Sequence, residues 1–159
     1  MTSSTHLRPA TVDDTPLIHQ LIRELADYEH LLAEFTATEE ALRATLFGEH
    51  PAAECILAFA EEEPAGFALF FANYSTFRAR PGLYLEDLFV RPPFRRRGIG
   101  RTLFHHVAQL ACQRGYARLE WMAMDADARA QKFYASLGAQ RLTDRRLLRL
   151  AGEALARFA

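Results

Sequence analysis

Apolar residues in the first part of the chain recur at helical spacing. Five of them lie on one face of a predicted helix: Leu17, Ile18, Leu21, Ile22 and Leu25. Asp13 or Asp14 can cap the start of this helix, because a carboxylate accepts hydrogen bonds from the free N–H groups of a first turn. A second helix is predicted from Thr38 to a turn at 48–51, and a short strand precedes both helices at 6–8.

The middle of the chain consists of apolar runs separated by polar turns, a pattern typical of strands. The runs at 55–60 and 66–72 predict a hairpin. A looser connection at 73–82 then leads to a third strand at 83–90. The prolines at 92–93 end this strand, because proline lacks the N–H group that a ladder requires.

The last third returns to helical periodicity. Four apolar residues line one face of a predicted helix that Gly115 closes: Ile99, Leu103, Val107 and Leu110. A strand at 118–124, a helix at 128–137, a last strand at 141–150 and a terminal helical turn follow. This order of elements predicts an α/β (α+β) domain over residues 1–159, a mixed sheet with helices packed on its faces.

Composition narrows the classes of function. Half of the 159 residues are hydrophobic and the net charge is −1, so no global basic field indicates nucleic acid. Cys55 and Cys112 lie in apolar segments, which favours reduced core thiols over a disulfide or a metal pair. The adjacent His105 and His106 point in different directions on a helix and do not share a metal. No apolar run approaches the ~20 residues that span a bilayer. We therefore expect a cytoplasmic protein without metal, membrane or nucleic-acid partners.

An arginine- and glycine-rich segment, residues 95–100, links the strand at 83–90 to the next helix. Gly98 and Gly100 let the backbone approach an anion, and the first helical turn offers N–H groups without partners. Three arginines can add charge-assisted hydrogen bonds: Arg96, Arg97 and Arg101. The segment predicts a pyrophosphate site, although a solvated turn with a surface arginine cluster remains an alternative.

Two acids, Glu86 and Asp87, interrupt the apolar strand at 83–90. Strand alternation places their side chains on opposite faces of the sheet unless a bulge redirects one. Because burying a carboxylate is costly, we expect one of them to line a wet cleft, where it can take a proton from an ammonium group. Two ion-paired structural acids remain the alternative.

Two tyrosines carry little information by position alone. Tyr134 shares one side of the helix at 128–137 with Phe133, which favours a core aromatic with a satisfied hydroxyl. Tyr28 and Glu29 read alone as an ordinary exposed helix end.

Taken together, the segments resemble the GNAT superfamily of N-acetyltransferases, and within it the diamine (spermidine/spermine or thialysine) acetyltransferase group. The resemblance covers nearly the whole chain. Its motifs are Leu7-Arg8-Pro9-Ala10-Thr11, Leu25-Ala26-Asp27-Tyr28-Glu29, Phe47-Gly48-Glu49-His50-Pro51, Tyr84-Leu85-Glu86-Asp87-Leu88-Phe89-Val90, Phe94-Arg95-Arg96-Arg97-Gly98-Ile99-Gly100 and Phe133-Tyr134 with Leu137-Gly138-Ala139. It implies the GNAT fold, with a mostly antiparallel central sheet, and acetyl-CoA as cosubstrate in direct transfer to the primary amine of a small molecule.

The resemblance also implies individual roles. Glu86 falls at the residue that helps to deprotonate the amine, and Tyr134 at the general acid that protonates the departing CoA thiolate. The acceptor-side positions of the diamine group are Tyr28, Glu29 and Asp87. The cofactor positions are Phe89 and Val90 at the pantetheine arm, and Arg95, Arg96, Arg97, Gly98, Ile99, Gly100 and Arg101 in the pyrophosphate loop.

The chain departs from the family pattern in two places. Ala126-Asp127 stands where the family commonly has Trp-Asn, so the contact of Asp127 with CoA stays an open expectation. Thr76 and Arg78 stand where polyamine-specific members place an acid and a tryptophan. Together with Arg80, Arg78 puts two cations beside the expected cleft and disfavours a long polycation. The sequence therefore favours a smaller amine, such as a lysine-like or thialysine-like amino acid.

The sequence leaves two alternative functions open, and the resemblance implies an oligomeric state. A protein or peptide N-acetyltransferase and a non-catalytic acyl-CoA-binding sensor are the alternatives to a small-molecule enzyme. The resemblance implies a homodimer, since members of the group pair through the C-terminal region, and residues 141–158 here are apolar at alternating positions.

Overall fold

A sheet of five strands organises the first of two compact units in the computed structural model, which describes residues 5–159. The strands are β1 (Thr5–Pro9), β2 (Glu54–Ala60), β3 (Glu63–Ser75), β4 (Arg80–Val90) and β5 (Leu119–Trp121). They lie in chain order. The first four pair antiparallel and β5 pairs parallel with β4, which confirms the mixed, mostly antiparallel sheet.

Three helices belong to this first unit, which ends at Met122. They are α1 (Thr15–Tyr28), α2 (Glu39–Phe47) and α3 (Ile99–Gln113). Thr38 caps α2, because its hydroxyl accepts a hydrogen bond from the N–H group of Ala41 at 3.1 Å, as the sequence predicts. Gly115, with φ of +68°, follows the end of α3.

Two hydrophobic layers hold the helices on the sheet. Helices α1 and α2 cover one face, in a cluster of Ile18, Leu21, Leu25, Leu46, Cys55, Leu57, Phe59, Phe67, Leu69 and Phe89. Helix α3 packs against β2, β3 and β4. Its Leu103 and Val107 are fully buried, as are Phe70 and Leu85, whose strand positions alternate with those of the first cluster. Burial of each such side chain contributes about 1.5–3 kcal/mol.

Two bidentate ion pairs fix α1 against the strands. Arg8 of β1 donates to both carboxylate oxygens of Asp14 at 2.7 Å, and this hydrogen bonding lowers the pKa of Asp14 to about 2. Arg91, which follows β4, donates to both carboxylate oxygens of Glu24 at 2.7 Å and to the carbonyl of Pro64 at 2.9 Å. The C-terminal end of α1 is therefore held beside the end of β4.

The second unit, Ala123–Ala159, contains α4 (Ala128–Ser136) and α5 (Gly152–Ala156). Gly138, with φ of +83°, follows α4 as predicted. The strand predicted at 141–150 is wrong, since this segment has no regular secondary structure. Alternating apolar residues alone do not form a strand without a neighbouring strand to accept their backbone hydrogen bonds.

Two strand boundaries also differ from the sequence prediction. The connection predicted at 73–82 is mostly strand, because Asn73, Tyr74 and Ser75 pair with Gly82, Pro81 and Arg80. The strand predicted at 118–124 shortens to β5, which pairs with β4 over three positions. In both places long-range pairing determines the boundary and the local composition does not.

The described residues include neither a membrane-spanning helix nor a cluster of metal-ligating side chains. No helix in 5–159 has the length and apolar character needed to cross a membrane. In the same range, no three His, Cys, Asp or Glu side chains gather where they could hold a metal ion.

Candidate active site

A β-bulge in β4 sets the positions of Glu86 and Asp87. Leu85 lies opposite Phe70 and Asp87 lies opposite Leu69, so Glu86 is the extra residue at the register shift. A bulge places two residues opposite one and redirects a side chain. Strict alternation does not hold at such a bulge, where Glu86 is exposed and Asp87 is half-buried.

Asp87 is a half-buried carboxyl group on the α1 side of the sheet. Burial, followed by the negative charges of Glu86 and Glu29, raises the pKa of Asp87 from its ordinary value of 3.8 to about 7. Burial also raises the pKa of the Cys55 thiol to about 12, with added effects from the charges of Asp14 and Asp87. Asp87 therefore lies close to the core and changes its charge near neutral pH, a property of groups that transfer protons.

The C-terminal end of α1 brings two further predicted residues to this place. Glu29 ends the helix, with its N–H group donating to the carbonyl of Leu25 at 2.9 Å, and its charge reaches Asp87. The Tyr28 ring centroid lies 6.4 Å from that of Phe89 in β4. Helix α1 and strand β4 thus bring the three predicted acids Glu29, Glu86 and Asp87 together, and such a group of negative charges attracts an ammonium group.

Strand β4 loses its parallel neighbour at the bulge. Pairing with β5 covers Leu83, Tyr84 and Leu85 and stops there, at Trp121 of β5. Beyond this point no strand of the described residues pairs with that edge of β4. The edge of β4 beyond Leu85 therefore has hydrogen-bonding capacity for an extended ligand, although the carbonyl of Val90 already accepts from Arg95 at 2.7 Å. A contact of Phe89 and Val90 with a pantetheine arm stays a prediction.

The loop after β4 has backbone dihedrals of alternating sign. Arg95 has φ of −67°, Arg96 of +64° and Gly98 of +82°, and Gly98 is the N-cap of α3. Such alternation turns successive N–H groups toward one point and makes an anion-binding concavity. A Cβ atom added at Gly98 would meet no atom within 4 Å, so the space beside it is open. Together with the free N–H groups of the first turn of α3, from Ile99 through Gly100, the loop fits a diphosphate.

The arginines of this loop have different surroundings. Arg96 and Arg97 are exposed, whereas Arg95 is half-buried. The Nε–H of Arg95 donates to the carbonyl of Val90 at 2.7 Å, and its guanidinium lies 4.1 Å from the centroid of the Tyr28 ring. Arg96 and Arg97 can therefore reach a ligand freely, while the Arg95 side chain is already engaged.

Arg101 lies at a different place from the acids. It lines a cavity of about 350 Å³ between α3 and β1, together with Leu7, Thr102, His105, His106 and Gln109. None of the other residues predicted for the site lines this cavity. The predicted contact of Arg101 with the cofactor thus remains a prediction.

In the second unit, Tyr134 lies in α4 and Asp127 immediately precedes this helix. One carboxylate oxygen of Asp127 accepts hydrogen bonds from the N–H groups of Arg129 at 3.1 Å and Ala130 at 2.9 Å, so Asp127 is the N-cap of α4. Burial, with a smaller effect from Asp127, raises the pKa of Tyr134 to about 12. The phenol therefore keeps its proton throughout the neutral range.

A polar cluster next to Glu86 escaped the sequence analysis. Burial and the charges of Glu86 and Glu120 raise the pKa of Tyr84. The Nδ2–H of Asn73 donates to Glu120 at 2.9 Å, and Nε of Arg118 lies 2.9 Å from the same carboxylate oxygen without hydrogen-bonding geometry. The sequence signal for this cluster was Glu120, a charged residue between the apolar Leu119 and Trp121 of β5.

The chain is similar to known proteins over most of its length. The family model described as "Acetyltransferase (GNAT) family" matches residues 18–139. Thialysine N-epsilon-acetyltransferase of Bos taurus is 39% identical, with 96% of each chain covered. L-ornithine N5-acetyltransferase NATA1 of Arabidopsis thaliana is 34% identical over 95% of this chain and 86% of that protein.

Solved structures give the same fold. An integron cassette protein from the V. cholerae mobile metagenome superposes with a TM-score of 0.82 at 26% identity, covering 99% of this chain and 98% of that one. An aminoglycoside acetyltransferase from an uncultured soil sample superposes with a TM-score of 0.78 at 21% identity, covering 92% and 97% of the two chains, and this likeness shows the fold alone. The family model and these relatives, 34% and 39% identical over nearly the whole chain, show that the chain belongs to the GNAT acetyltransferase family.

Proposed function

We propose that this protein transfers the acetyl group of acetyl-CoA directly to the primary amine of a small molecule. The class of acceptor comprises diamines, polyamines and lysine-like or thialysine-like amino acids. The observation that carries the proposal is the acid pair Glu86 and Asp87 at a bulge of the strand that runs into the anion-binding loop. This arrangement puts a proton acceptor for an ammonium group on the same strand as the cofactor loop.

We assign the cofactor-binding residues from the backbone geometry and the charge of the loop. The alternating dihedrals at 95–98 and the open space at Gly98 fit a diphosphate, and Arg96 and Arg97 supply exposed positive charge. The backbone of Phe89 and Val90 would hold the pantetheine arm, and Ile99, Gly100 and Arg101 belong to the first turn of α3. Bound acetyl-CoA supplies the activated acetyl thioester.

The acids would prepare the acceptor. A primary amine with a pKa near ~10 is mostly protonated at neutral pH, and only its free base is a nucleophile. The negative charges of Glu29, Glu86 and Asp87 attract the cation. The resemblance gives the deprotonating role to Glu86. Because the pKa of Asp87 is raised to about 7, we propose instead that Asp87 accepts the proton first and that the exposed Glu86 passes it toward solvent.

Tyr134 would act on the leaving group, the CoA thiolate. With a pKa of about 12, its hydroxyl is protonated at neutral pH and can donate to a departing thiolate sulfur. Asp127 supports this role indirectly, because it caps the helix that carries Tyr134. A direct contact of the Asp127 carboxylate with CoA would compete with its hydrogen bonds to the first turn of α4. We therefore assign Asp127 the capping role in preference to a contact with CoA.

A small amino acid is the preferred acceptor. Arg78 lies in the exposed turn between β3 and β4, and Arg80 is the exposed first residue of β4. We expect these two positive charges to disfavour a long polycation. Relatives that match nearly the whole chain are named for thialysine and ornithine, amino acids with a side-chain amine. We therefore expect an ornithine-like or thialysine-like acceptor to react faster than spermidine.

Three broader properties complete the proposal. The two compact units would act as one domain over 1–159, since the family match at 18–139 spans their boundary. Exposed apolar residues of the second unit support a homodimer: Leu147, Leu148, Leu150, Leu155 and Phe158. The free thiols Cys55 and Cys112 fit the reducing cytoplasm. Light scattering of the purified protein would test the dimer.

The direct test is a screen for free-CoA release from acetyl-CoA against diamines, amino acids, aminoglycosides and peptides with a free amine. Acetylation of a small amine supports the proposal, and mass spectrometry of the product identifies the nitrogen. Turnover with peptides alone would favour a protein acetyltransferase. Tight CoA binding without turnover on any amine would favour a sensor.

A further inference from the structure

Arg95 has surroundings that differ from those of the neighbouring arginines. Arg96 and Arg97 are exposed, but Arg95 is half-buried, and its side chain returns from the loop toward β4 and α1. A residue selected only to bind phosphate gains nothing from this burial.

Two contacts define the geometry of Arg95. Its Nε–H donates to the carbonyl oxygen of Val90 at 2.7 Å, which fixes the plane of the guanidinium. The guanidinium carbon then lies 4.1 Å from the Tyr28 ring centroid and 5.8 Å from that of Phe89. Both distances are within the range of a cation–π interaction.

Tyr28 is held from two directions. Its ring contacts Phe89 at a centroid distance of 6.4 Å and Arg95 at 4.1 Å, although 47% of its surface remains exposed. An exposed tyrosine at the last position of a helix would otherwise sample several rotamers. The guanidinium of Arg95 and the ring of Phe89 therefore restrict the Tyr28 ring, which precedes Glu29 in the chain.

We propose that the side chain of Arg95 is a positioning residue for the acceptor site: it clamps Tyr28 against β4 and ties the acceptor side to the cofactor loop, while Arg96 and Arg97 serve the diphosphate. This role rests on the proposed acetyl transfer to an amine. The backbone of Arg95 is part of the cofactor loop, whereas its side chain contacts Tyr28 on the acceptor side. Loss of the guanidinium is therefore expected to weaken acceptor binding more than CoA binding.

The test compares Arg95→Gln with Arg97→Gln, a matched variant in the same loop whose guanidinium lies 5.5 Å from the Phe94 ring and not on Tyr28. Arg95→Gln is expected to raise the acceptor KM about tenfold and to change the Kd of CoA, measured by calorimetry, by less than about twofold. Arg97→Gln is expected to weaken CoA binding severalfold and leave the acceptor KM within about twofold. The reverse pattern, with CoA binding lost in Arg95→Gln and the acceptor KM unchanged, overturns the proposal.

A double-mutant cycle in urea unfolding tests the clamp without any enzyme assay. The unfolding equilibrium constants of Arg95→Gln, Tyr28→Leu and the double variant are expected to show a coupling of about two- to fivefold, the range of a cation–π pair. Tyr28→Phe keeps the ring and should keep the coupling. Additive effects in Tyr28→Leu would refute the clamp.

The two proposals fail in different ways. If the wild-type protein acetylates no amine, the proposed function is wrong. The calorimetry of the two arginine variants and the unfolding cycle still decide whether Arg95 clamps Tyr28 or binds the diphosphate.

Discussion

Glu86 is the bulged residue of β4 and lies next to Asp87, whose pKa is raised to about 7 by its own burial and then by the negative charges of Glu86 and Glu29. Two acids with different exposure thus lie next to one another in an apolar strand. Asp87 is half-buried and titrates near neutral pH, whereas Glu86 is exposed. Under the proposed function, Asp87 would accept the ammonium proton and the exposed Glu86 would pass it to solvent.

Turnover should depend on the ionised form of Asp87. If Asp87 accepts the ammonium proton, kcat at saturating substrates falls about tenfold per pH unit below pH about 7, because the protonated carboxyl cannot accept it. Asp87→Asn should lower kcat and abolish this acidic limb. The exposed Asp13→Asn serves as the control and should keep the wild-type profile. An acidic limb that persists in Asp87→Asn would show that another group accepts the proton.

The pKa of Asp87 should respond to its two neighbouring acids. Glu86→Gln and Glu29→Gln each remove a negative charge that disfavours ionised Asp87, so each is expected to lower its pKa, with the larger effect from Glu86. Carbon-13 NMR of the Asp87 carboxyl group measures this titration directly. Glu39→Gln, an exposed acid at the start of α2, is the control. Equal titration curves in all variants would show that the three carboxylates do not interact.

Ionised Asp87 should destabilise the fold at alkaline pH. Because the folded-state pKa is raised from 3.8 to about 7, the contribution of Asp87 to stability is full below pH 3.8 and is lost as the pH rises through about 7. This difference corresponds to at most about 4 kcal/mol. Relative to the wild type, Asp87→Asn should therefore raise the free energy of unfolding more at pH 8 than at pH 4, as urea titrations at both pH values measure. An identical effect at the two pH values would contradict burial of the charge.

Tyr134→Phe should lower kcat by ~10²-fold or more with the Kd of CoA nearly unchanged, as expected for loss of a general acid. The ring remains, so packing against Phe133, at a centroid distance of 5.1 Å, is kept. Calorimetry and steady-state kinetics on the same preparation separate the two effects. Unchanged turnover would reduce Tyr134 to a packing role.

Gly98→Val should weaken CoA binding by about tenfold or more. The φ of +82° is unfavourable for a β-branched residue, and the added methyl groups occupy the open space in which the loop N–H groups meet the diphosphate. Gly115→Val, with φ of +68° and equally open surroundings at the far end of α3, is the control. It should lose a similar amount of stability and retain CoA affinity. Equal CoA affinity in both variants would place the diphosphate elsewhere.

Periodicity and turn chemistry were sufficient for most elements of the fold. The helical spacing from Leu17 to Leu25, the cap at Thr38 and the prolines after β4 are local signals, and the structure confirms each of them. The strand predicted at 141–150 failed for the opposite reason. The alternation of apolar and polar residues at 141–150 is a local pattern, but a strand forms only where a neighbouring strand accepts and donates its backbone hydrogen bonds.

The sequence by itself determined the mixed sheet, the loop at 95–98 and the residue types of the candidate site. Hydrophobic spacing, glycine positions and family motifs are signals between residues that are close in sequence, so they can be recognised without the fold. Only the tertiary structure decided that Glu86 occupies a bulge, that Asp87 titrates near neutral pH, and that Arg95 lies on Tyr28. These three properties depend on register, burial and contacts between residues far apart in sequence. Local pattern does not fix such relationships, since the same residues in another register would face other neighbours and a different dielectric environment.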